Sequence, residues 1–312
     1  MTTSTISHLS TAIQRLTPLS LAETSWDNVG LMVEPPNPRP LPKRSIYLCI
    51  DLTRPVLEEA LSNPETVSIL TYHPPIFSGL KSLTLSNSLS KSLLECVSEG
   101  VSVYTIHTAA DVAVNGTNDW MASGLLNFAK NQNQSQSQSE LVRPGKGQGV
   151  RALKENGNPP EGQEGCGMGR IVDFKEILEE GKEGLEREEI VKAVKQTLGM
   201  KNFQAAWSPV GPSTIRTVAI CAGSGSSVLK GIEADLYLTG EMGHHDILAA
   251  NAKGIHVFCC NHTATERPWL KYFAPKLQAQ LNQLAQEEEE REEKVEYRVI
   301  VSEKDREPLE VV

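Results

Sequence analysis

Short apolar runs, rich in β-branched residues, recur along this chain. They cover residues 44–53, 67–73, 101–107, 217–223, 235–241 and 255–262. Strands buried on both faces of a mostly parallel sheet have near-continuous hydrophobic sequences, so we expect each run to form such a strand. Helix-like stretches separate several of these runs, at 54–63, 87–100 and 244–254. The pattern therefore predicts an α/β fold with mostly parallel sheets.

One region interrupts this pattern. Residues 131–165 are rich in Gln, Asn, Ser, Gly and Pro and contain few bulky apolar side chains. Such a composition buries too little apolar surface to offset the entropy of ordering, so it predicts a disordered, low-complexity linker. The predicted division is a first α/β domain at 1–130, the linker at 131–165, and a second α/β part at 166–312.

Charge and cysteine content narrow the class of protein. The formal net charge of −9 at pH 7 disfavours binding to nucleic-acid phosphates, and small-molecule or protein partners are expected instead. The 6 cysteines lack zinc-finger or disulfide-framework spacing, which indicates a reducing compartment. No segment approaches about 20 consecutive apolar residues, so no membrane insertion is expected. We expect a cytoplasmic protein, with a mitochondrial or nuclear pool left open.

Histidines end several of the predicted strands. His73, His107 and His262 each close an apolar run, and Asp111 and Glu266 follow His107 and His262 by four residues. In an open α/β sheet, ligands bind outside the carboxyl ends of the strands, so these side chains can converge there. Imidazoles with carboxylates are ligands of Zn, Mn, Fe, Co or Ni. A single strand-end histidine is more often structural, and the metal hypothesis rests on the group.

Glu266 has a competing explanation. The sequence "TATE" at 263–266 matches a helix capping box, in which Glu266 would bond to the backbone of Thr263. Pro268 argues against that cap, because it would fall inside the helix, where its missing N–H is needed. With Thr265 as the cap, Pro268 lies in the first turn and Glu266 faces the strand ends.

Two further features are weaker signals. Glu241 ends the run 235–241, and His244 and His245 follow it, so these residues are candidates for lining the same site. The small residues of "CAGSGSSVLKG" at 221–231 join a predicted strand to a helix and could offer backbone N–H groups to a phosphate. The loop matches neither a Walker sequence nor a dinucleotide fingerprint.

Several separated motifs resemble one known family. The chain contains, in order, "SWDNVGLMVE", "TYHPPIF", "HTAADVAVNGTNDWMA", "VAICAGSGSS", "LTGEMGHHD" and "HTATE". Their order and spacing resemble the eukaryotic branch of the Nif-three-like family, named for an interacting factor of the NGG-one transcriptional coactivator. Bacterial members of the family are often labelled GTP cyclohydrolase I type 2. The resemblance extends over nearly the whole chain outside 131–165.

The resemblance implies a fold, an assembly and a metal centre. It implies two related α/β domains, a dinuclear metal centre in the cleft between them, completed by the C-terminal part of the chain, and a homohexamer. The family's ligands correspond to His73, Asp111, His262 and Glu266, with two divalent ions per chain. Bacterial relatives usually have a second histidine at the position of Tyr72, and a phenolic oxygen would have to replace its nitrogen.

The function expected from this resemblance is metal-assisted hydrolysis. Two divalent ions about 3.5 to 4 Å apart would activate a bridging water and hold a substrate oxygen. Tyr72, Glu241 or His244 would carry protons, and the sequence does not choose among them. The substrate would be a small molecule, a nucleotide or another phosphorylated compound. The alternative is a metal-binding interaction protein, a partner of a transcriptional coactivator, without robust catalysis.

Overall fold

The computed structural model describes residues 5–130, 140–287 and 295–310. These residues form two structural units. The first unit contains the described residues of 1–110 and 270–306, and the second those of 111–269 and 307–312. The predicted division had its boundaries at 130 and 166. In the structure the first unit ends at 110 and takes up residues 270–306 as well, and the second unit begins at 111. Apolar patterning alone does not reveal which distant segments pair.

The first unit is built around one sheet. Its elements, in chain order, are α1 (Thr5–Leu16), β1 (Gly30–Val33), β2 (Lys43–Cys49), α2 (Arg54–Ser62), β3 (Thr66–Thr71), α3 (Ser88–Ser98) and β4 (Ser102–Thr105). Helix α4 (His107–Val112) contains the boundary between the units. The last strand of this sheet comes from the C-terminal part of the chain, after the second unit.

The second unit contains the next elements of the chain. They are α5 (Thr117–Ala129), β5 (Val150–Glu155), β6 (Gly167–Asp173), β7 (Leu185–Glu186), α6 (Arg187–Leu198), β8 (Gln204–Ala206), β9 (Thr214–Ile215), β10 (Thr217–Ser224), α7 (Ser226–Leu229), β11 (Leu236–Glu241), α8 (His244–Ala252) and β12 (His256–Cys259). The chain then forms α9 (Arg267–Glu287) and β13 (Glu296–Val301). Short 3-10 helices lie at Leu19–Leu21, Phe174–Glu176 and Thr263–Thr265.

Parallel pairing sets the carboxyl ends of neighbouring strands side by side in each unit. In the first sheet, of order β1-β4-β3-β2-β13, strands β4, β3, β2 and β13 are parallel and β1 is antiparallel. In the second, of order β5-β6-β10-β11-β12-β8, the adjacent strands β10, β11 and β12 are parallel and the outer pairs antiparallel. The α/β prediction is confirmed, and every residue of β3 is buried as expected for a central strand.

Local sequence explains where several helices begin and end. Pro55 lies in the first turn of α2, where a missing N–H is harmless. The Asn87 side chain accepts a hydrogen bond from the Ser90 N–H at 2.9 Å and caps α3. Gly199 ends α6 with a φ of +67°, in the left-handed region that glycine adopts readily. No helix in the described part of the chain is long and apolar enough to cross a bilayer.

The prediction of a linker over 131–165 is wrong for residues 150–155. These residues form β5, an edge strand that pairs antiparallel with β6 and buries Val150 and Ala152. The Gln163 side chain also accepts a hydrogen bond from the Val114 N–H at 2.8 Å. Composition misleads here because an edge strand needs few apolar side chains when a neighbour satisfies its backbone. Residues 131–139 lie outside the described residues.

Substituting Val150 with Asp tests this packing. The variant places a carboxylate at a position that is 2% exposed, so the free energy of unfolding should fall by at least about 3 kcal/mol in urea denaturation. Arg151→Asp is the matched control, because Arg151 is exposed on the same strand. It should change stability by no more than about 0.5 kcal/mol. Equal stability of the two variants would mean that the strand does not pack.

Candidate functional site

His73 lies at the carboxyl end of the sheet in the first unit, beside Asp51. His73 follows β3 and Asp51 follows the adjacent parallel strand β2. The Nδ1 atom of His73 lies 3.0 Å from Asp51 Oδ1. A carboxylate on one ring nitrogen fixes the orientation of an imidazole and makes the other nitrogen a better metal ligand. Nε2 is therefore the ring nitrogen of His73 that would serve as a metal ligand.

His107 has a carboxylate partner of its own. Its Nδ1 lies 2.6 Å from Asp27 Oδ1, and Asp27 Oδ2 accepts a hydrogen bond from the Thr108 N–H at 3.2 Å. Burial raises the pKa of Asp27, but the hydrogen bonds from His107 and Thr108 outweigh it, so that the pKa lies below its usual range. The His107 ring contacts His73 at a centroid distance of 5.2 Å. The structure thus brings these two strand-end histidines together.

Tyr72 packs against both of these rings. Its side chain is buried, and its ring meets those of His73 and His107 edge-on, at centroid distances of 5.5 and 6.1 Å. Its backbone carbonyl accepts a hydrogen bond from the Thr105 hydroxyl at 2.8 Å. Tyr72 therefore packs along one side of the histidine pair.

The second unit brings His262, Glu241 and Glu266 together. Glu241 Oε1 lies 2.9 Å from His262 Nδ1, and Glu266 Oε1 lies 3.3 Å from His262 Nε2. Glu266 is buried, with 2% of its surface exposed. The ligand atoms of His262 and Glu266 are close enough to bind one ion, while Glu241 orients the imidazole from its far side.

Gly223 leaves room beside these ligand atoms. A Cβ at this position would lie 2.6 Å from Glu266 Oε1 and 3.0 Å from His262 Nε2. The residue also has a φ of +63°, which side chains with a Cβ adopt rarely. Its N–H donates to the Thr265 hydroxyl at 2.9 Å, and that hydroxyl donates to the His262 carbonyl at 2.7 Å. Glycine here leaves space beside the candidate ligand atoms of Glu266 and His262.

Asp111 is tied to the same strand end through Asn118. The Asn118 amide donates to the Asp111 carbonyl at 3.0 Å and accepts from the Ala222 N–H at 2.9 Å. Burial, together with the negative charges of Asp111 and Glu266, raises the pKa of the Cys221 thiol. The two predicted carboxylate ligands of this unit therefore act on one point of β10.

A buried ion pair fixes the turn that follows Asp111. The Arg170 guanidinium pairs with the Asp119 carboxylate, and both side chains are fully buried. Arg170 also donates to the carbonyls of Val112 and Ala113 at 3.3 and 3.2 Å. Because removing one partner would leave an uncompensated buried charge, this pair constrains the backbone next to a candidate ligand.

Helix α9 begins later than a cap at either Thr263 or Thr265 would place it. Thr263–Thr265 form a 3-10 turn and α9 begins at Arg267, so Pro268 lies in the first turn of the helix. The Thr263 hydroxyl donates to the Glu307 carboxylate at 2.7 Å. Asn261 has a φ of +65°, the left-handed conformation that Asn tolerates better than most residues. Helix geometry thus leaves Glu266 beside His262.

The remaining candidates have different surroundings. His244 and His245 lie in the first turn of α8, are exposed, and contact each other at a ring distance of 5.4 Å. Asp51, Asp27 and Gly223 are supporting residues whose roles sequence reasoning missed. Asp51 lies inside the predicted strand at 44–53, whereas β2 ends at Cys49, so the sequence did not mark it as a strand-end residue. Asp27, the partner of His107, is 80 residues away from it in sequence.

Comparison with known proteins shows similarity over most of the chain. The family model for Duf34/NIF3 (NGG1p interacting factor 3) matches residues 4–301. "Protein NIF3 homolog" of Schizosaccharomyces pombe is 40% identical over 287 residues, covering 91% of this chain and 90% of that protein. "NGG1-interacting factor 3" of Saccharomyces cerevisiae is 34% identical over 273 residues, covering 83% and 85%.

Solved structures share the fold at lower identity. A Bacillus cereus protein related to NIF3 has a TM-score of 0.69 at 20% identity, covering 98% of both chains. Reduced HcgD from Methanocaldococcus jannaschii has a TM-score of 0.63 at 23% identity, covering 92% of this chain and 94% of that one. These similarities support the α/β architecture described above.

The lowered pKa of Asp27 predicts a pH-dependent contribution to stability. A carboxyl group whose pKa is depressed on folding stabilises the protein above its unfolded pKa, and this contribution is lost as pH falls through the folded pKa. Asp27→Asn should therefore lower the free energy of unfolding by about 1–3 kcal/mol at pH 7, and the deficit should shrink below about pH 4. Urea unfolding from pH 7 to pH 3 measures the difference.

Glu34→Gln serves as the control for this pH series, because Glu34 is exposed on the same unit. It should follow the wild-type protein at every pH within about 0.5 kcal/mol. A deficit for Asp27→Asn that stays constant down to pH 3 would contradict the assignment of a charged Asp27.

Proposed function

This chain belongs to the Duf34/NIF3 family, and from that premise we propose that it is a metal-dependent hydrolase with a divalent-metal centre. The proposed ligands are Asp111, His262 and Glu266 of the second unit, and His73, the fourth ligand that the resemblance implies. The observation that carries the proposal is the 3.3 Å approach of buried Glu266 to His262 Nε2. A buried carboxylate beside an imidazole nitrogen is a donor pair for Zn, Mn, Fe, Co or Ni.

The surroundings of these donors fit a metal ion. Metal-bound histidines commonly have a carboxylate on the ring nitrogen that does not bind the metal. Glu241 occupies this position at His262 Nδ1, and Asp51 occupies it at His73 Nδ1. The space beside Gly223 would be filled by any side chain with a Cβ. We propose two ions per chain. The Tyr72 ring lies beside His73, the histidine that the resemblance assigns to the metal centre.

The chain's own residues then have distinct tasks. A bound divalent ion supplies a Lewis acid that lowers the pKa of water and polarises a substrate oxygen. Asp111 and Glu266 provide the negative charge that holds cations. Glu241 holds the imidazole of His262 in place. We therefore assign Glu241 a positioning role and not the proton transfer for which the sequence made it a candidate. His107, held at Nδ1 by Asp27, presents Nε2 as a proton acceptor alongside the earlier candidates Tyr72 and His244.

The substrate class and setting follow from the resemblance. We propose a small, phosphorylated substrate such as a nucleotide, hydrolysed by a homohexamer in the cytoplasm, with mitochondrial or nuclear pools. Ring-opening of GTP, as the bacterial label has it, is one member of this class. The chemistry needs a divalent ion and water, and no other cofactor is proposed.

A second candidate function is protein interaction. The Saccharomyces cerevisiae relative is named NGG1-interacting factor 3, and a corresponding partner of a transcriptional coactivator would need the metal for folding only. A structural metal site closes its coordination sphere with protein ligands, whereas a catalytic one keeps a position open. Hydrolytic turnover that depends on added metal favours the enzyme over the interaction protein.

Removing Glu266 should separate these functions. The wild-type protein, supplemented with Mn, Zn, Fe or Co, should bind at least about one equivalent of metal, and Glu266→Gln and His262→Ala should lose most of it. Turnover of a nucleotide and phosphoester panel should fall by at least about 100-fold in both variants. Glu180→Gln, an exposed carboxylate change, should retain metal and turnover. Background rates in wild type with full metal content would favour the interaction protein.

Gly223→Ala tests the space beside the ligands directly. The added methyl would collide with Glu266 Oε1 and His262 Nε2, so elemental analysis should show a loss of metal from a protein with a wild-type circular dichroism spectrum. Gly231→Ala is the matched control, since Gly231 also has a positive φ, +84°, and a Cβ added there would have no neighbouring atom within 4 Å. Both variants carry backbone strain, but only Gly223→Ala should lose metal. Equal metal content in the two would refute a site at Gly223.

A further inference from the structure

Trp26 and Phe77 form an exposed aromatic pair in the first unit. Their rings are 6.1 Å apart at the centroids and tilted by 42°, and the residues are 52% and 50% exposed. Large aromatic side chains usually contribute to a core, and adjacent exposed ones commonly mark a binding surface. We call these two rings the aromatic pair.

Polar contacts hold the aromatic pair in place. The Asn28 amide donates to the Ile76 carbonyl at 2.6 Å and so connects the loop that carries Trp26 to the loop that carries Phe77. Asp27, next to Trp26, is fixed by His107 and by the Thr108 N–H. Binding surfaces that are already ordered lose less entropy when a ligand binds. The aromatic pair is therefore preorganised for binding a rigid, flat ligand.

The aromatic pair adjoins the candidate ligand His73 through one residue. The Trp26 ring contacts the His107 ring edge-on at 5.9 Å, and His107 contacts His73 at 5.2 Å. A molecule lying on Trp26 would thus have imidazole and carboxylate groups at one side. This arrangement suits a ligand with an apolar ring face and polar ring edges.

We propose that Trp26 and Phe77 bind the planar nitrogen heterocycle of the substrate by stacking. This inference rests on the proposed function and deepens it, because it restricts the phosphorylated substrates to those that carry a heteroaromatic ring. Aromatic side chains stack on the π-faces of such rings with little preference among bases. Sugar phosphates without a ring would lack this contact and bind more weakly.

Equilibrium binding to the full-length protein tests the proposal without requiring turnover. The probes are guanosine 5′-monophosphate, nicotinamide mononucleotide and ribose 5-phosphate, which share a ribose phosphate and differ in the ring. At least one ring-bearing probe should bind tighter than ribose 5-phosphate, and Trp26→Ala should weaken it by about 5- to 150-fold, as expected for loss of a stacked aromatic. Affinity for ribose 5-phosphate should not change. Titration calorimetry gives these dissociation constants.

Further variants control for folding and for general apolarity. Trp26→Phe keeps an aromatic face and should retain most of the affinity, and Phe77→Ala should weaken binding in the same direction as Trp26→Ala. Leu85→Ala is the control in the same connecting segment, because Leu85 is 70% exposed but aliphatic. It should bind all three probes like wild type. Circular dichroism and metal content should be unchanged in each variant.

Three results would overturn the inference. The first is equal affinity of wild type for all three probes, and the second is unchanged ring binding in both Trp26→Ala and Phe77→Ala. The third is a tryptophan fluorescence change on dilution without any probe that is lost in Trp26→Phe, which would assign the aromatic pair to contact with a second copy of the chain. Ring binding that depends on Trp26 in a protein without turnover would refute the hydrolase and support the aromatic pair.

Discussion

Hydrogen bonds between strand-end imidazoles and carboxylates fix the candidate site residues in both units. The pairs are His73 with Asp51, His107 with Asp27, and His262 with Glu241. In each pair a carboxylate meets Nδ1, so the imidazole has one defined orientation and Nε2 is the nitrogen that serves further chemistry. Without these partners, a histidine at a strand end would sample several rotamers, and its Nε2 would have no fixed position.

The position of His262 also depends on the close approach of backbone segments around it. The strands β10, β11 and β12 end beside one another, and a Cβ at Gly240 would lie 2.6 Å from the Gly223 carbonyl and 2.8 Å from the His262 Cα. Small residues at these positions let the His262 turn pack against two strand ends. Asn261 completes the turn in the left-handed conformation. The position of His262 is therefore a result of packing as much as of its own hydrogen bond.

The sequence predicted six strands, because buried parallel strands have a recognisable composition, and it predicted the histidines that end three of these runs. The six are β2, β3, β4, β10, β11 and β12. The sequence did not predict β5, whose stability comes from pairing with β6, or the return of β13 to the first sheet. Asp27 illustrates the limit for the site: its motif was recognisable by resemblance, yet its contact with His107 joins segments 80 residues apart. Contacts of this kind depend on the tertiary fold, which local patterns do not encode.

We propose that His262 and Glu266 together coordinate one divalent ion. Crystals of cobalt-supplemented protein, measured on both sides of the cobalt absorption edge, locate that ion. An ion bound by both residues gives an anomalous peak about 2.0 to 2.2 Å from His262 Nε2 and from a Glu266 oxygen. A fully loaded protein whose anomalous peak lies instead at the exposed pair His244 and His245, with no peak beside Gly223, would contradict it.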